Sequence, residues 1–443
     1  MSSNKAKQRV IESIDVDRQA LIDLCLSLGN LRDYPGHESD VGDAVADWLS
    51  NAGISVRKQT LSYESINVVG MIRGVGDRKS GGRSLILNAH MDTQGDEPAS
   101  GEEVEKEIRG AWTEDGLLYG RGLANDKAQL AATLIAARAV ATANIALKED
   151  LFVTAVAQET SAPTDDPDDL HDWSGVGPAI SQVREGHGAR WLVENGVVAD
   201  YALVAEVSDF TVTVAQAGYL RLRISVPGHI PYTPGLDRGA GIAGNPNPFE
   251  RAAHVIVLLE EWARSYESEN QHEFWGGTFI PKAQVYEVGG SGPAWTETVD
   301  FCHIFFDIRL TPNAVPAEII NSVRRHISSL QLDCEINAYD FRRGYIAENF
   351  EPLLDALKRA HKEITGDKLD LASPRMISMW RDANAFNEAG ITALGYGPPT
   401  QEGMGAGLAG ATRPISVDDL VATTKVIALT ALDICGVADL EAT

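Results

Sequence analysis

Three stretches of the chain place histidine or acid side chains directly after short apolar runs. His90-Met91-Asp92 follows residues 84–89, Gln158-Glu159-Thr160 follows residues 151–157, and Glu206 follows residues 201–205. In an open α/β sheet, ligands bind beyond the carboxyl ends of the strands, so these residues converge if the runs are neighbouring parallel strands. The chemistry of such a set is metal ligation with general acid–base catalysis. The His-x-Asp spacing fits that use. Residues i and i+2 share one face of a strand, so Asp92 can accept the second ring N–H of His90 and fix the imidazole as a ligand. A buried His–Asp hydrogen bond with no metal satisfies the same spacing. A fourth stretch, residues 119–128, reads YGRGLANDKA and leads into an alanine-rich helix. Asn125 and Asp126 suit the start of that helix as capping residues, and equally a polar cluster at the mouth of the sheet.

The elements that must hold these residues follow from apolar spacing. Helical periodicity fills the first 60 residues, with Gly53 ending the second helix. Apolar runs at 67–72, 84–89, 151–156 and 201–205 predict buried strands, and 127–143 and 188–195 predict helices between them. Strands alternating with helices indicate an α/β sheet with a large parallel component. After about residue 214 the text changes to period-two strands at 219–226 and 302–310, helices at 248–265 and 316–329, and a strand at 333–338. From about residue 350 it returns to long helices and a buried strand at 392–396. The expected organisation is one α/β domain, 1–214 and 343–443, interrupted by an α+β domain at 215–342. The polar, acidic stretch 161–187 is expected to be a solvated surface excursion.

Composition limits the partners. The 443 residues carry a formal net charge of −25, with 44% hydrophobic and 23% charged residues. That balance suits a soluble enzyme and disfavours nucleic acid or an anionic membrane, both of which need a basic face. A small anionic substrate remains compatible, because a few arginines in a cleft reverse the local field. The four cysteines (Cys25, Cys302, Cys334, Cys435) are scattered and form no C-x-x-C pair. With no apolar leader and no run of ~20 apolar residues, a cytoplasmic protein is expected.

NAHMDT at 88–93, YGRGLANDKA at 119–128, AQET at 157–160, LVAEVSD at 203–209 and GHIPYTP at 228–234 occur in an order that resembles a known family. It is the metallo-exopeptidase and deacylase family of aminoacylase, glutamate carboxypeptidase, acetylornithine deacetylase and succinyl-diaminopimelate desuccinylase. The resemblance implies an α/β, zinc-exopeptidase-like catalytic domain with an inserted α+β (ferredoxin-like) dimerisation domain, hence a homodimer or higher homo-oligomer. It implies His90 and Glu206 as metal ligands, Asp92 as the aspartate orienting His90, and Glu159 as the general base. His229 matches a histidine that a partner subunit offers to the reacting oxygen, and Arg309 an arginine that holds a substrate carboxylate. Trp380, Arg381 and Asp382 fall where the family contacts substrate.

The departures from the family pattern are as informative. Asn125 takes the place of the aspartate that bridges two metals, and Thr160 that of a glutamate ligand of the second metal. The last histidine ligand is missing from the region MGAGLAGATRPIS at 403–416. What remains is a three-residue site, His90, Asn125 and Glu206, for one divalent metal: Mn, Zn, Co or Fe. The implied activity is hydrolysis of a C–N bond in a small carboxylated molecule. A one-metal site is most similar to a branch of the family that replaces an aromatic amine by hydroxyl, converting 5-nitroanthranilate to 5-nitrosalicylate and ammonia. A mononuclear amidohydrolase, deacylase or dipeptidase is the alternative, and a catalytically inactive ligand-binding homologue is another.

Overall fold

The central sheet is built from the apolar runs that the sequence marks out. The computed structural model describes residues 3–31, 33–93, 110–160, 186–230, 233–275, 277–290, 301–377, 380–400 and 413–438. Among these, eight strands form one mixed sheet. Its order is Ser55–Ser62, Ser65–Ile72, Leu151–Val156, Leu85–His90, Tyr201–Ala205, Thr392–Tyr396, Thr211–Thr213 and Asp370–Leu371. The four middle strands from Leu151–Val156 to Thr392–Tyr396 are mutually parallel. Burial on both faces explains their continuous apolar character.

Two helices cover one face of these strands. Ala128–Thr142 and Val417–Cys435 are buried around almost their whole circumference and pack on each other. A helix apolar on all sides belongs in a core. Ser416 starts the second helix by accepting the Asp419 N–H at 3.2 Å. No helix among the described residues is long and apolar enough to cross a membrane.

A separate four-stranded antiparallel sheet has the order Ala283–Gly290, Phe301–Leu310, Gly218–Pro227, Glu335–Arg342. Helices Pro248–Glu269 and Pro316–Ile327 cover its inner face, and the second hydrophobic core is drawn wholly from residues 220–336. The chain order is strand-helix-strand-strand-helix-strand, the ferredoxin-like arrangement. Asn247 caps its longer helix, accepting the Phe249 N–H at 2.9 Å, and Pro248 fills the first helical position.

Two long strands escape the sequence reading, as do short ones such as Thr211–Thr213 and Asp370–Leu371. Ser55–Ser62 is a strand where helix was expected to residue 60, and Ala283–Gly290 was not anticipated. Both lie at sheet edges, where charged and exposed residues replace the apolar run. Of the predicted excursion at 161–187, residues 161–185 lie outside the described residues.

The chain leaves the first core and returns to it along one narrow crossing. Ala215–Gln216 pairs antiparallel with Tyr345–Ile346. A Cβ on Gly218 would stand 2.3 Å from the Arg342 carbonyl oxygen, so only glycine allows this approach. The Asn384 amide spans both strands, donating to the Ala217 carbonyl at 3.3 Å and the Arg343 carbonyl at 3.0 Å.

Candidate active site

Parallel pairing sets the strand ends side by side. Leu151–Val156, Leu85–His90 and Tyr201–Ala205 are neighbours, so Glu159, His90 and Glu206 emerge at one edge of the sheet. All three are buried.

His90 is held from two sides. Its Nδ1 donates to the Asp92 main-chain carbonyl at 2.9 Å, and its main-chain N–H donates to Asp126 Oδ2 at 3.2 Å. A carbonyl can only accept, so Nδ1 carries a proton, and in the neutral ring Nε2 presents a lone pair. That lone pair faces Asn125 Oδ1 at 3.2 Å and Glu159 Oε2 at 3.8 Å. Three acceptors converging in this way require a proton or a metal cation between them. Burial opposes charging the imidazole, but Glu159, Asp92 and Asp126 outweigh it and hold its pKa well above the ordinary value.

The Asp92 carboxylate serves a different purpose from the one its spacing suggested. It lies 3.7 Å from His90 Nδ1, beyond a hydrogen bond. It accepts instead from the Glu159 N–H at 2.9 Å, the Thr160 N–H at 2.8 Å and the Thr160 hydroxyl at 2.6 Å. Burial opposes its ionisation, yet His90 and these donors keep its pKa below the usual carboxylate range. Thr160 thus braces the turn that carries Glu159.

The turn preceding the long buried helix brings Asn125 and Asp126 inward. Leu123–Lys127 forms a single wide turn with a cis peptide between Asn125 and Asp126. Neither side chain caps the helix: its first residue follows Lys127, with no side-chain cap bond. Asp126 binds the His90 main chain, and Lys127 forms a buried ion pair with Asp33 at 2.7 Å.

Acid outweighs base in this cluster. Burial, then the charges of Glu206, Asp382 and Asp92, hold the Glu159 carboxyl well above its usual range against the pull of His90. Burial and Glu206 do the same to Asp126, opposed by His90 and Arg381. Asp382 is pushed up to about 7 by burial, Glu206 and Asp92. Asp126 Oδ1 and Glu206 Oε1 are buried with no hydrogen-bond partner among the described residues. Unpaired buried carboxylates are costly, and a cation bound among them offsets that cost. No group of three His, Cys, Asp or Glu side chains among the described residues could by itself hold a metal. The nearer of the two oxygens facing His90 Nε2 is the Asn125 amide.

Arg381 is the cation that the structure does supply. Its side chain is 1% exposed, its Nη1 lies 2.9 Å from Glu206 Oε2, and its Nη2 donates to the Val207 carbonyl at 2.8 Å. It therefore grips a protein carboxylate, where a substrate carboxylate was one expected partner. Asp382 accepts from Asn88 Nδ2 at 2.9 Å, and Asn88 Oδ1 accepts from Thr154 at 2.8 Å. Asn88 was not anticipated, although it stands two residues before His90 on the same face of the strand. Trp380 is buried, its indole N–H has no partner among the described residues, and its ring lies so close over Gly186 that a Cβ there would stand 1.8 Å from it.

Two expected residues are not joined to this cluster by any contact among the described residues. His229 is exposed just beyond the strand Gly218–Pro227, its main chain bonded to the Pro246 carbonyl. Arg309 is half-buried on the antiparallel sheet, pairing with Asp307 at 3.1 Å beneath the Tyr219 ring. Of the segment that lacks the last ligand histidine, residues 401–412 lie outside the described residues.

Comparison with known proteins follows the geometry. A family profile, Peptidase family M20/M25/M40, matches residues 86–433. The N-formyl-4-amino-5-aminomethyl-2-methylpyrimidine deformylase of Bacillus subtilis is 25% identical over 407 residues, covering 86% of each chain. Among solved structures, a putative aminohydrolase from methicillin-resistant Staphylococcus aureus superposes with a TM-score of 0.66 at 15% identity, covering 97% of this chain and 100% of that one. A dinuclear metal binding peptidase from Bacillus subtilis gives 0.59 at 15% identity, covering 95% and 99%.

Proposed function

Since the chain belongs to peptidase family M20/M25/M40, and is therefore a metallohydrolase acting on C–N bonds, we propose that it works with one divalent metal and removes an aromatic amine. The observation that carries the metal count is the donor set around His90. An amide, Asn125, stands beside the imidazole, and Thr160 directs its hydroxyl to Asp92. The lone pair of His90 Nε2, Asn125 Oδ1 and Glu206 Oε1, unpartnered among the described residues, are the atoms we assign to Mn, Zn, Co or Fe. A second metal has lost its carboxylates. Mass spectrometry of enzyme loaded under substrate is expected to give about one metal per chain, and two would overturn this ligand count.

For the reaction we propose hydrolysis of 5-nitroanthranilate to 5-nitrosalicylate and ammonia. A divalent cation, when bound, acidifies the attacking water and offsets developing negative charge. Glu159 takes a proton from that water and passes it to the departing nitrogen: the C–O bond forms first, and the C–N bond breaks when the ring returns its electron pair and ammonia leaves. The para nitro group takes up the electron pair as water adds, and no carbonyl needs polarising. The buried Trp380 ring offers an aromatic wall whose indole N–H has no partner among the described residues. The resemblance assigns the ring carboxylate to Arg309 and the partner subunit's site to the exposed His229, both carried by the antiparallel unit and neither touching the His90 cluster among the described residues.

The deformylase relative favours a second reading, cleavage of an N-formyl amide on a small aromatic ring. One assay separates the two. With Mn-loaded protein and 5-nitroanthranilate, the nitroaniline absorbance is expected to fall as ammonia appears in equal amount. No absorbance change, with formate released from an N-formylaminopyrimidine, would reject the amine reading in favour of the amide one.

A further inference from the structure

Glu38 lies in the loop before the helix Ser39–Asn51, far in sequence from His90, Glu159 and Glu206. It is fully buried. Its Oε1 accepts the Gly36 N–H at 2.6 Å and, across 120 residues of chain, the Gln158 N–H at 3.1 Å. Gln158 immediately precedes Glu159 and adopts a positive φ of 55°, a conformation that costs a side-chain-bearing residue free energy unless its surroundings impose it.

Three successive N–H groups, of residues 158, 159 and 160, thereby point at carboxyl groups: the first at Glu38, the next two at Asp92. A left-handed residue within such a run makes a concave nest of N–H donors. Here the protein fills the nest with its own acids. The Gln158 side chain is fixed as well, its Nε2 donating to Ser65 at 3.0 Å and its Oε1 meeting His187 Nδ1 at 2.9 Å.

We propose that Glu38 is a positioning residue for the reaction, whose carboxyl reach fixes the turn that aims Glu159. The inference rests on Glu159 being the general base. Burial and the nearby Asp92 charge push the Glu38 carboxyl up to about 8, so near neutral pH it is largely uncharged, in keeping with a part played by reach. A misaimed base by about 1 Å costs on the order of 10²-fold in rate.

Two variants separate reach from charge. Glu38→Gln keeps the acceptor oxygen at full length and removes the acid, whereas Glu38→Asp keeps the acid and withdraws it by one methylene. With Mn-loaded full-length protein and 5-nitroanthranilate or the N-formylaminopyrimidine, whichever the wild type turns over, Glu38→Gln is expected to stay within a few-fold of wild type. Glu38→Asp is expected to lose kcat by about 10²-fold with KM nearly unchanged. Amide hydrogen exchange of the peptide spanning residues 157–160 reads the clamp without catalysis, and should quicken at least tenfold in Glu38→Asp alone. Wild-type exchange in Glu38→Asp, or equal loss of kcat in both variants, overturns the proposal. If Glu159→Gln keeps turnover while the exchange pattern holds, the base reading fails and the clamp stands as a fixture of the turn.

Discussion

Replacing Glu159 by glutamine is expected to lower kcat by about 10²–10⁴-fold while leaving metal uptake and folding intact. The side chain stands 3.8 Å from His90 Nε2, and glutamine has its shape and one of its acceptor oxygens. What glutamine cannot do is hold a proton in transit. Burial and neighbouring acids hold the Glu159 carboxyl above its usual range against the pull of His90, which favours its taking up a proton. Steady-state kinetics beside metal content and equilibrium dialysis of substrate check the point. Unchanged turnover would remove Glu159 from the mechanism. A fall in turnover matched by a fall in bound metal would make it a ligand instead.

The second large effect is on stability. Arg381→Met should cost about 3–5 kcal/mol in metal-free protein, because it strands the buried Glu206 carboxyl without its cation. A divalent ion bound beside Glu206 supplies part of the missing charge. The gain in urea midpoint on replacing EDTA with Mn should therefore be larger in the variant than in wild type. The double variant with Glu206→Gln should lose less than the two single losses combined, since each single change leaves a partner unpaired. If the single losses simply add, the pair does not interact in the way its 2.9 Å separation implies.

The sequence exposes strands with a continuous or alternating apolar pattern and hides edge strands that lack one. The strands ending at His90, Val156, Ala205 and Tyr396 are continuous apolar runs, so they and the acids just after them are legible. Ser55–Ser62 and Ala283–Gly290 are edge strands, and their charges and exposed residues mask the period. Spacing places Asp92 beside His90 but cannot say that the main-chain carbonyl, and not the carboxylate, takes the ring proton. Glu38 carries no local signal at all. Its partner lies on another segment, and only the assembled sheet brings the two together. Arg381 has the same history: an arginine near substrate positions in the text, and the buried companion of Glu206 in the fold.

The crossing at Gly218 also has a bearing on how the chain folds during synthesis. The strand Thr392–Tyr396 joins the central sheet beside Tyr201–Ala205, a partner made long before it. Every strand of the antiparallel sheet lies between the two, within residues 218–342. Domains emerge and fold as units in chain order, and non-local parallel pairing is slow. The antiparallel unit can therefore be complete while the central sheet still lacks an interior strand, its apolar edge at Tyr201–Ala205 open until the last stretch of chain arrives. Bringing residues 215–216 and 345–346 together closes the loop that separates the halves, so the inserted unit shortens the search its host must make.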